Sequence, residues 1–145
     1  MSIWFKPITL EELNDYQQQT LVSRLGIRYT EIGEDYLKAV MPVDERTKQP
    51  AGILHGGASV ALAETLGSTG ANLVVDRDQK LCVGLEINAN HVRAMREGEV
   101  TGTARPLHRG GTTQIWEIRI SDAKDRLVCV SRITLAVLDR ANLQN

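Results

Sequence analysis

Residues 54–72 of the chain read LHGGASVALAETLGSTGAN, and the apolar spacing of this stretch is that of a buried helix. The pattern predicts a helix over residues 57–75, entered through the glycine pair Gly56 and Gly57. Glu64 is flanked by apolar residues on both sides. An unpaired carboxylate removed from water costs several kcal/mol or takes up a proton. Glu64 therefore either faces solvent, as is ordinary on an amphipathic helix, or has a chemical role.

The sequence around this helix predicts one α+β domain covering residues 1–145. Thr9 and Glu12 have the spacing of a capping box, which predicts a short helix from Leu10 to about Gln18. Strand-like runs separated by polar turns occupy residues 26–31, 36–43, 81–93, 98–107, 112–122 and 126–139. One long apolar helix beside about six antiparallel strands predicts a sheet wrapped around a central helix.

Composition excludes several classes of function. Seventeen basic and eighteen acidic residues leave no net positive charge to hold nucleic acid or an anionic membrane. The sequence shows neither a signal-peptide pattern nor a membrane-spanning apolar run, so we expect a cytoplasmic protein. Cys82 and Cys129 lie in strand-like runs, where reduced, packed thiols are expected. With three scattered histidines they form no metal-ligand spacing, so we expect neither a metal nor a separate cofactor.

The start of the long helix is a candidate binding site for a negatively charged oxygen. Gly56 and Gly57 have backbone N–H groups that no side chain obstructs, and the helix dipole adds to their attraction for an anion. The alternative is that the glycines only permit a tight turn into the helix. Just upstream, His55 and Gln49 carry side chains that can donate to a carbonyl oxygen or orient it.

Distance along the helix separates this site from Glu64. Ser68 lies one turn beyond Glu64 at the i+4 position, where a hydroxyl can reach the carboxylate or simply serve as a small packing residue. Gly56, in contrast, lies roughly 12 Å from Glu64 at 1.5 Å per residue. Groups that act on one carbonyl must each come within about 3 Å of it. The spacing therefore predicts a homodimer in which Gly56 of one subunit meets Glu64 of the other.

Small residues on the helix fit this arrangement. Gly67, Ser68, Gly70 and Ala71 are expected to permit a close approach between the neighbouring subunits.

The runs TKQPAGILHGGASVALAETLGS and VGLEINANHVRAMREGEV resemble the hotdog-fold acyl-CoA thioesterases of the PaaI-like group. The resemblance extends from the first helix to about Asp139. It is strongest to the branch that holds the 1,4-dihydroxy-2-naphthoyl-CoA thioesterase of menaquinone synthesis and the proofreading thioesterase of enterobactin synthesis. HGG alone is a weak signal, but the full set of Gln49, Gly56, Glu64 and Ser68, at offsets of seven, eight and four, is specific.

The resemblance implies a role for each of these residues. Glu64 is expected to attack the thioester or activate water, and the Gly56 N–H to hold the carbonyl oxygen. His55 and Gln49 are expected to orient and polarise that carbonyl or position water, and Ser68 to steer Glu64 or the water. A thioester carbonyl develops negative charge on oxygen, which fixed donors stabilise. The spacing does not decide between general-base catalysis and an anhydride intermediate.

Two basic loops are candidates for binding the coenzyme A phosphates. NANHVRAMREG carries His91 and Arg93, and PLHRGGTT carries Arg109 and Gly110. Guanidinium groups and backbone N–H groups in such loops bind phosphate, although charges at strand ends are as often simply solvated. The resemblance favours the binding role, and it also implies a homotetramer built as a dimer of dimers.

Other functions of hotdog domains remain as alternatives. A dehydratase is expected to use a histidine and an acid at other positions, and an acyl-CoA sensor needs a nucleic-acid module for which 145 residues leave no room. A proofreading thioesterase acting on carrier-protein thioesters and a non-catalytic acyl-CoA-binding protein also stay open. The resemblance favours an aromatic acyl group, such as 1,4-dihydroxy-2-naphthoyl or benzoyl, or one of medium length, and other acyl-CoA thioesters stay open as substrates.

Overall fold

The computed structural model describes residues 1–143, which form one six-stranded antiparallel sheet with a long helix on one face. The helices are α1 (Leu10–Tyr16), α2 (Leu21–Arg24) and α3 (Gly56–Leu73), and a 3-10 turn covers Arg140–Leu143. The strands are β1 (Arg28–Ile32), β2 (Leu37–Pro42), β3 (Lys80–His91), β4 (Glu99–Arg109), β5 (Thr113–Ser121) and β6 (Leu127–Asp139). The predicted α+β class and the capping box of α1 are confirmed, whereas α2 and the 3-10 turn were not predicted.

The order of strands in the sheet is β1-β2-β4-β5-β6-β3, so β3 lies at an edge. The chain crosses the sheet along α3 and places β3 beside β6. α3 contacts every strand from β2 to β6 and covers the apolar face of the sheet. β3 contacts α3 and, as one of the two edge strands, has one side open to a further partner.

Two glycines of α3 allow the helix to lie close to its own sheet. A Cβ atom on Gly67 would lie 2.5 Å from Cγ2 of Ile133, and one on Gly70 would lie 2.6 Å from the ring of Trp116. Ala71 is also fully buried. The expectation that Gly67 and Gly70 permit a close approach between subunits was wrong, because side chains of the chain's own β5 and β6 occupy that space.

The N-terminal segment is fixed against the far end of α3. The N–H of Ile3 donates to the carbonyl oxygen of Glu34 at 2.9 Å, and the N–H of Phe5 donates to that of Leu73 at 2.8 Å. Between them, Trp4 stacks on Trp116 with ring centroids 6.3 Å apart. These contacts fix residues 3–5, whereas α1 packs on β1, and a cleft lies between these N-terminal elements and α3.

No helix within residues 1–143 is both long and apolar enough to cross a membrane.

Candidate active site

His55 is the N-cap of α3, and its side chain takes up one of the N–H groups at the helix start. The N–H of Gly57 donates to Nδ1 of His55 at 2.8 Å, while the N–H groups of Ala58 and Ser59 donate to the His55 carbonyl oxygen. Within residues 1–143 the Gly56 N–H donates no hydrogen bond. The predicted oxyanion site therefore narrows to Gly56, because Gly57 already has a partner.

A small cleft of about 390 Å³ opens beside Gly56. Gln49, His91 and Arg93 line it together with Gly56. The Gln49 side-chain oxygen accepts a hydrogen bond from the Ala51 N–H at 2.6 Å. This bond fixes the side-chain amide in the loop and does not use its NH₂ group. A Cβ atom on Gly56 would lie 3.0 Å from Nε2 of His91. Gly56 thus admits the imidazole of His91 against the helix start.

The contact between Gly56 and His91 was missed from the sequence. His91 was assigned only to phosphate binding, because it lies 35 positions after Gly56 and no local pattern links them. The sequence feature that points to this contact is the glycine at position 56. Because it has no side chain, it leaves room for a neighbouring residue as well as for a substrate oxygen atom. The structure places this imidazole beside the candidate oxyanion donor.

Glu64 lies in a second and larger cleft of about 780 Å³. It is half-buried, and burial raises the pKa of its carboxyl group above the usual value. No hydrogen bond or ion pair from the described residues offsets this burial. Ser68 lines the same cleft, but its hydroxyl makes no hydrogen bond to Glu64 in this chain. The carboxylate is therefore directed into the cleft with its oxygen atoms free.

The cleft around Glu64 has two chemically different walls. Successive turns along one face of α3 supply polar side chains: Glu64, Thr65, Ser68, Thr69 and Asn72. The N-terminal segment and α2 supply the apolar part of the opposite wall: Phe5, Pro7, Ile8, Leu13 and Val22. The wall from the N-terminal segment was not predicted, because only the folded chain brings residues 5–22 to α3.

The two clefts do not share any of the predicted catalytic residues. Gln49 and Gly56 line the small cleft, whereas Glu64 and Ser68 line the large one. The described part of one chain thus separates the candidate oxyanion donor from the candidate base, as the helix spacing requires.

The two predicted phosphate-binding loops lie toward different ends of the sheet. Arg109 pairs with Gln114, Gln114 with Leu135, and Leu135 with Gly84, so the Arg109–Gly110 turn is level with Gly84. His91 lies seven residues further along β3. Arg93 and Arg109 are exposed, and neither forms an ion pair with another described residue. Both guanidinium groups are free, but one chain does not bring them together.

The cysteines are confirmed as buried free thiols. Burial raises the pKa of Cys82 to about 11 and also raises that of Cys129. A protonated thiol is a poor nucleophile, which leaves Glu64 as the stronger candidate. Among the described residues, no group of histidine, cysteine or acidic side chains has the geometry of a metal site.

A sheet wrapped around one helix that carries a free carboxylate is the architecture of a hotdog-fold thioester hydrolase. Residues 51–129 match the Thioesterase superfamily, and the chain belongs to that family.

Relatives of known name agree with this family over nearly the whole chain. The sequence is 56% identical to a 1,4-dihydroxy-2-naphthoyl-CoA hydrolase of Escherichia coli over 94% of this chain and 99% of that protein. It is 53% identical to a proofreading thioesterase of Cronobacter turicensis over 94% of this chain and 98% of that protein. The crystal structure of a thioesterase from Haemophilus influenzae superposes with a TM-score of 0.92 at 50% identity, covering 94% of this chain and 95% of that one.

Proposed function

We propose that this thioesterase hydrolyses acyl-CoA thioesters with an aromatic acyl group, such as 1,4-dihydroxy-2-naphthoyl or benzoyl, at a site shared by two subunits. The observation that carries the proposal is the half-buried Glu64 carboxylate, which has no hydrogen-bond partner within residues 1–143 and lies in a cleft large enough for an acyl group. A carboxylate that is partly removed from water and has no partner to stabilise its charge is typical of a catalytic residue.

In this reaction, negative charge develops on the thioester carbonyl oxygen, and fixed hydrogen-bond donors of the protein stabilise it. Attack at the thioester carbonyl carbon moves an electron pair onto the carbonyl oxygen, to which the Gly56 N–H donates a hydrogen bond. Because Nδ1 of His55 accepts a hydrogen bond from Gly57, the ring proton of neutral His55 is on Nε2, where it can donate to the substrate. The Gln49 amide supplies a further donor at the same cleft. Collapse of the intermediate breaks the C–S bond and releases the CoA thiolate, which takes up a proton.

Glu64 supplies the attack in one of two ways. As a general base it removes a proton from water as the water oxygen bonds to the carbonyl carbon. As a nucleophile it forms an anhydride with the acyl group, which water then hydrolyses to release the acid. Ser68, on the same wall of the cleft, positions the carboxylate or the water once substrate is bound.

The shape of the larger cleft supports an aromatic acyl group with polar substituents. The polar wall of α3 offers the hydroxyl group of Ser68, since Thr65 already donates to the Ala61 carbonyl oxygen and Thr69 is bonded to Tyr29. The opposite wall offers apolar contacts from Phe5 and Ile8. A flat ring with a hydroxyl group can pair with Ser68 while its faces contact the apolar wall, and an alkyl chain offers no group for that hydrogen bond. The named activity of the Escherichia coli relative is consistent with this choice.

Coenzyme A binding is assigned to the two basic loops. His91 and Arg93 lie beside Gly56, while Arg109 and Gly110 lie toward the Glu64 end of the sheet. In a dimer that brings Gly56 of one subunit to Glu64 of the other, both loops converge on one site. The open edge of β3 supports pairing with a second copy, and the dimers assemble further into a tetramer.

Hydrolysis assays with the wild type and Glu64→Gln test the activity. The substrates are 1,4-dihydroxy-2-naphthoyl-CoA, benzoyl-CoA, an aliphatic acyl-CoA and a benzoyl-loaded carrier protein. We expect the aromatic CoA thioesters to give the highest kcat/KM, and Glu64→Gln to lower kcat by roughly 10²-fold or more. Comparable hydrolysis by both proteins would rule out Glu64 as the base or nucleophile. A preference for the carrier-protein thioester would instead indicate a proofreading role.

A mixed dimer tests the shared site. Chains carrying Gln49→Ala and chains carrying Glu64→Gln are co-expressed with different tags, and the mixed species is purified. If each site takes Gln49 and Glu64 from different subunits, the mixed dimer has one intact site and about half the wild-type kcat, although both parents are inactive. A mixed dimer no more active than its parents would place both residues of a site in one chain.

A further inference from the structure

We infer that Gly84 is a positioning residue for Glu64: the bare backbone of the edge strand at this residue gives the carboxylate its place in the cleft. The inference rests on the proposed catalytic role of Glu64. Any side chain at residue 84 would displace the Glu64 carboxylate. On this inference, glycine is needed here for catalysis and not for folding.

The contact is between the end of the Glu64 side chain and the backbone of β3. A Cβ atom on Gly84 would lie 2.8 Å from Oε1, 3.7 Å from Cδ and 3.8 Å from Oε2 of Glu64. A separation of 2.8 Å is well inside van der Waals contact, so any side chain at residue 84 would displace the carboxylate. Among the described residues other than 83–85, the three atoms nearest to that Cβ position all belong to Glu64.

A β-bulge follows directly after Gly84. Gly84 pairs with Leu135 of β6, but the next pair in the ladder joins Glu86 to Thr134, so Leu85 is the extra residue. Bulges bend a strand and redirect the residues around them, and they are common next to active sites. Here the bulge lies on the edge strand, where Gly84 and Leu85 are exposed in the single chain.

Asn72 fixes β3 relative to α3 near this contact. Its side-chain oxygen accepts from the Cys82 N–H at 2.9 Å, and its amide nitrogen donates to the carbonyl oxygens of Cys82 at 3.0 Å and Ser68 at 2.9 Å. These bonds join the helix, two turns after Glu64, to the strand two residues before Gly84. The backbone on both sides of the contact is held, so the Glu64 side chain is the part that moves when residue 84 changes.

Gly84→Ala is therefore expected to alter catalysis without damaging the fold. The displaced atom is the free end of a flexible side chain, and alanine is more favourable than glycine within a strand. A displacement of about 1 Å at a reacting group costs on the order of 10²-fold in rate. We expect kcat to fall roughly 10–100-fold with little change in KM, while the urea midpoint of unfolding stays the same or rises.

Gly102→Ala is the matched control, since Gly102 also lies in a strand beneath α3. A Cβ atom there would lie 2.6 Å from Cδ1 of the fully buried Leu66. This variant is expected to lower the urea midpoint because the core has no room for the added methyl group. Its contact is to the core, so its effect on kcat per folded molecule should be much smaller than that of Gly84→Ala.

The experiment measures kcat, KM and urea unfolding for the wild type, Gly84→Ala, Gly102→Ala and Glu64→Gln. It also follows the Glu64 carboxyl by NMR titration in the wild type and in Gly84→Ala, where displacement into water is expected to lower its pKa. An unchanged kcat or an unchanged Glu64 titration in Gly84→Ala would overturn the positioning role, even if Glu64→Gln is inactive. Full activity in Glu64→Gln would instead overturn the proposed function itself.

Discussion

Nδ1 of His55 accepts a hydrogen bond of 2.8 Å from the backbone N–H of Gly57, so the imidazole caps α3 while its Nε2 takes no part in that bond. N-cap residues normally have short side chains such as Ser, Thr, Asp or Asn. A histidine in this place caps the helix through Nδ1 and leaves the Nε2–H of its neutral ring available as a donor. The bond also leaves the neighbouring Gly56 N–H free at the positive end of the helix dipole.

Substitutions of His55 are expected to separate these two roles. His55→Ala removes both the cap and the donor, so it should lower stability by about 1 kcal/mol and kcat by on the order of 10²-fold. His55→Asn keeps an oxygen acceptor for the Gly57 N–H and should restore most of the stability but not the rate. Urea unfolding and steady-state hydrolysis measure the two effects. Wild-type kcat in His55→Asn would mean that the imidazole serves only as a cap.

The pH dependence of hydrolysis should report the burial of Glu64. Desolvation raises the pKa of this carboxyl group, and the reaction needs its ionised form. We expect kcat/KM to fall on the acid side with an apparent pKa above that of an exposed glutamate. Measurement of kcat/KM from pH 4 to pH 8 tests this expectation. An acid limb at or below the ordinary glutamate value would show that the carboxylate has stabilising partners in the working enzyme.

The same burial predicts a stability change in Glu64→Gln. Because the carboxyl pKa is higher in the folded chain than in the unfolded chain, ionisation favours the unfolded chain. The wild type should therefore lose stability as the pH rises through the folded-state pKa, and Glu64→Gln should be the more stable protein at pH 7. The difference should disappear below about pH 4, where Glu64 is protonated in both states. Urea unfolding at the two pH values measures it.

Much of the fold could be predicted from the sequence because its pattern is local. The spacing of apolar residues predicted the end of the long helix to within two residues. The turn residues between the strand-like runs correctly predicted six strands. The capping box of Thr9 and Glu12 is present as predicted. The short α2 carries no buried residue, so the sequence has no apolar pattern there from which a helix could be predicted.

The site was predicted in part, and the missing part depends on tertiary contacts. Spacing along α3 correctly separated Gly56 from Glu64, since a helix has a fixed rise per residue. Spacing could not place His91 beside Gly56 or Gly84 beside Glu64, because those contacts join a helix to an edge strand more than 15 residues away. The packing of Gly67 against Ile133 was misassigned for the same reason: a small residue signals a close neighbour but not which one.

A buried hydrogen bond between Tyr29 and Thr69 joins β1 to the wall of the Glu64 cleft. The two hydroxyl oxygens are 2.7 Å apart, and burial raises the pKa of Tyr29 to about 12. Thr69→Val should leave the Tyr29 hydroxyl unpaired and lower the free energy of unfolding by about 1–3 kcal/mol. The double variant Tyr29→Phe/Thr69→Val should recover most of this loss. A double-mutant cycle in urea measures the coupling, and purely additive losses would contradict the bond.

Phe5 is expected to determine how well the cleft accepts a large acyl group. Its backbone is tied to the end of α3 through Leu73, yet its side chain is 52% exposed beside the cleft. An aromatic acyl group that covers this ring gains apolar contact that an acetyl group is too short to reach. Phe5→Ala should therefore lower kcat/KM for benzoyl-CoA by roughly tenfold and leave acetyl-CoA hydrolysis nearly unchanged.

Leu21→Ala is the control for Phe5→Ala, because Leu21 is 64% exposed and lies outside the cleft. Removing it changes exposed apolar surface without changing the wall of the cleft. The ratio of kcat/KM for benzoyl-CoA to that for acetyl-CoA is the decisive quantity, since a general loss of folded protein lowers both values together. A ratio that falls in Phe5→Ala but not in Leu21→Ala would place the acyl group against the N-terminal segment. An equal ratio in all three proteins would place it elsewhere.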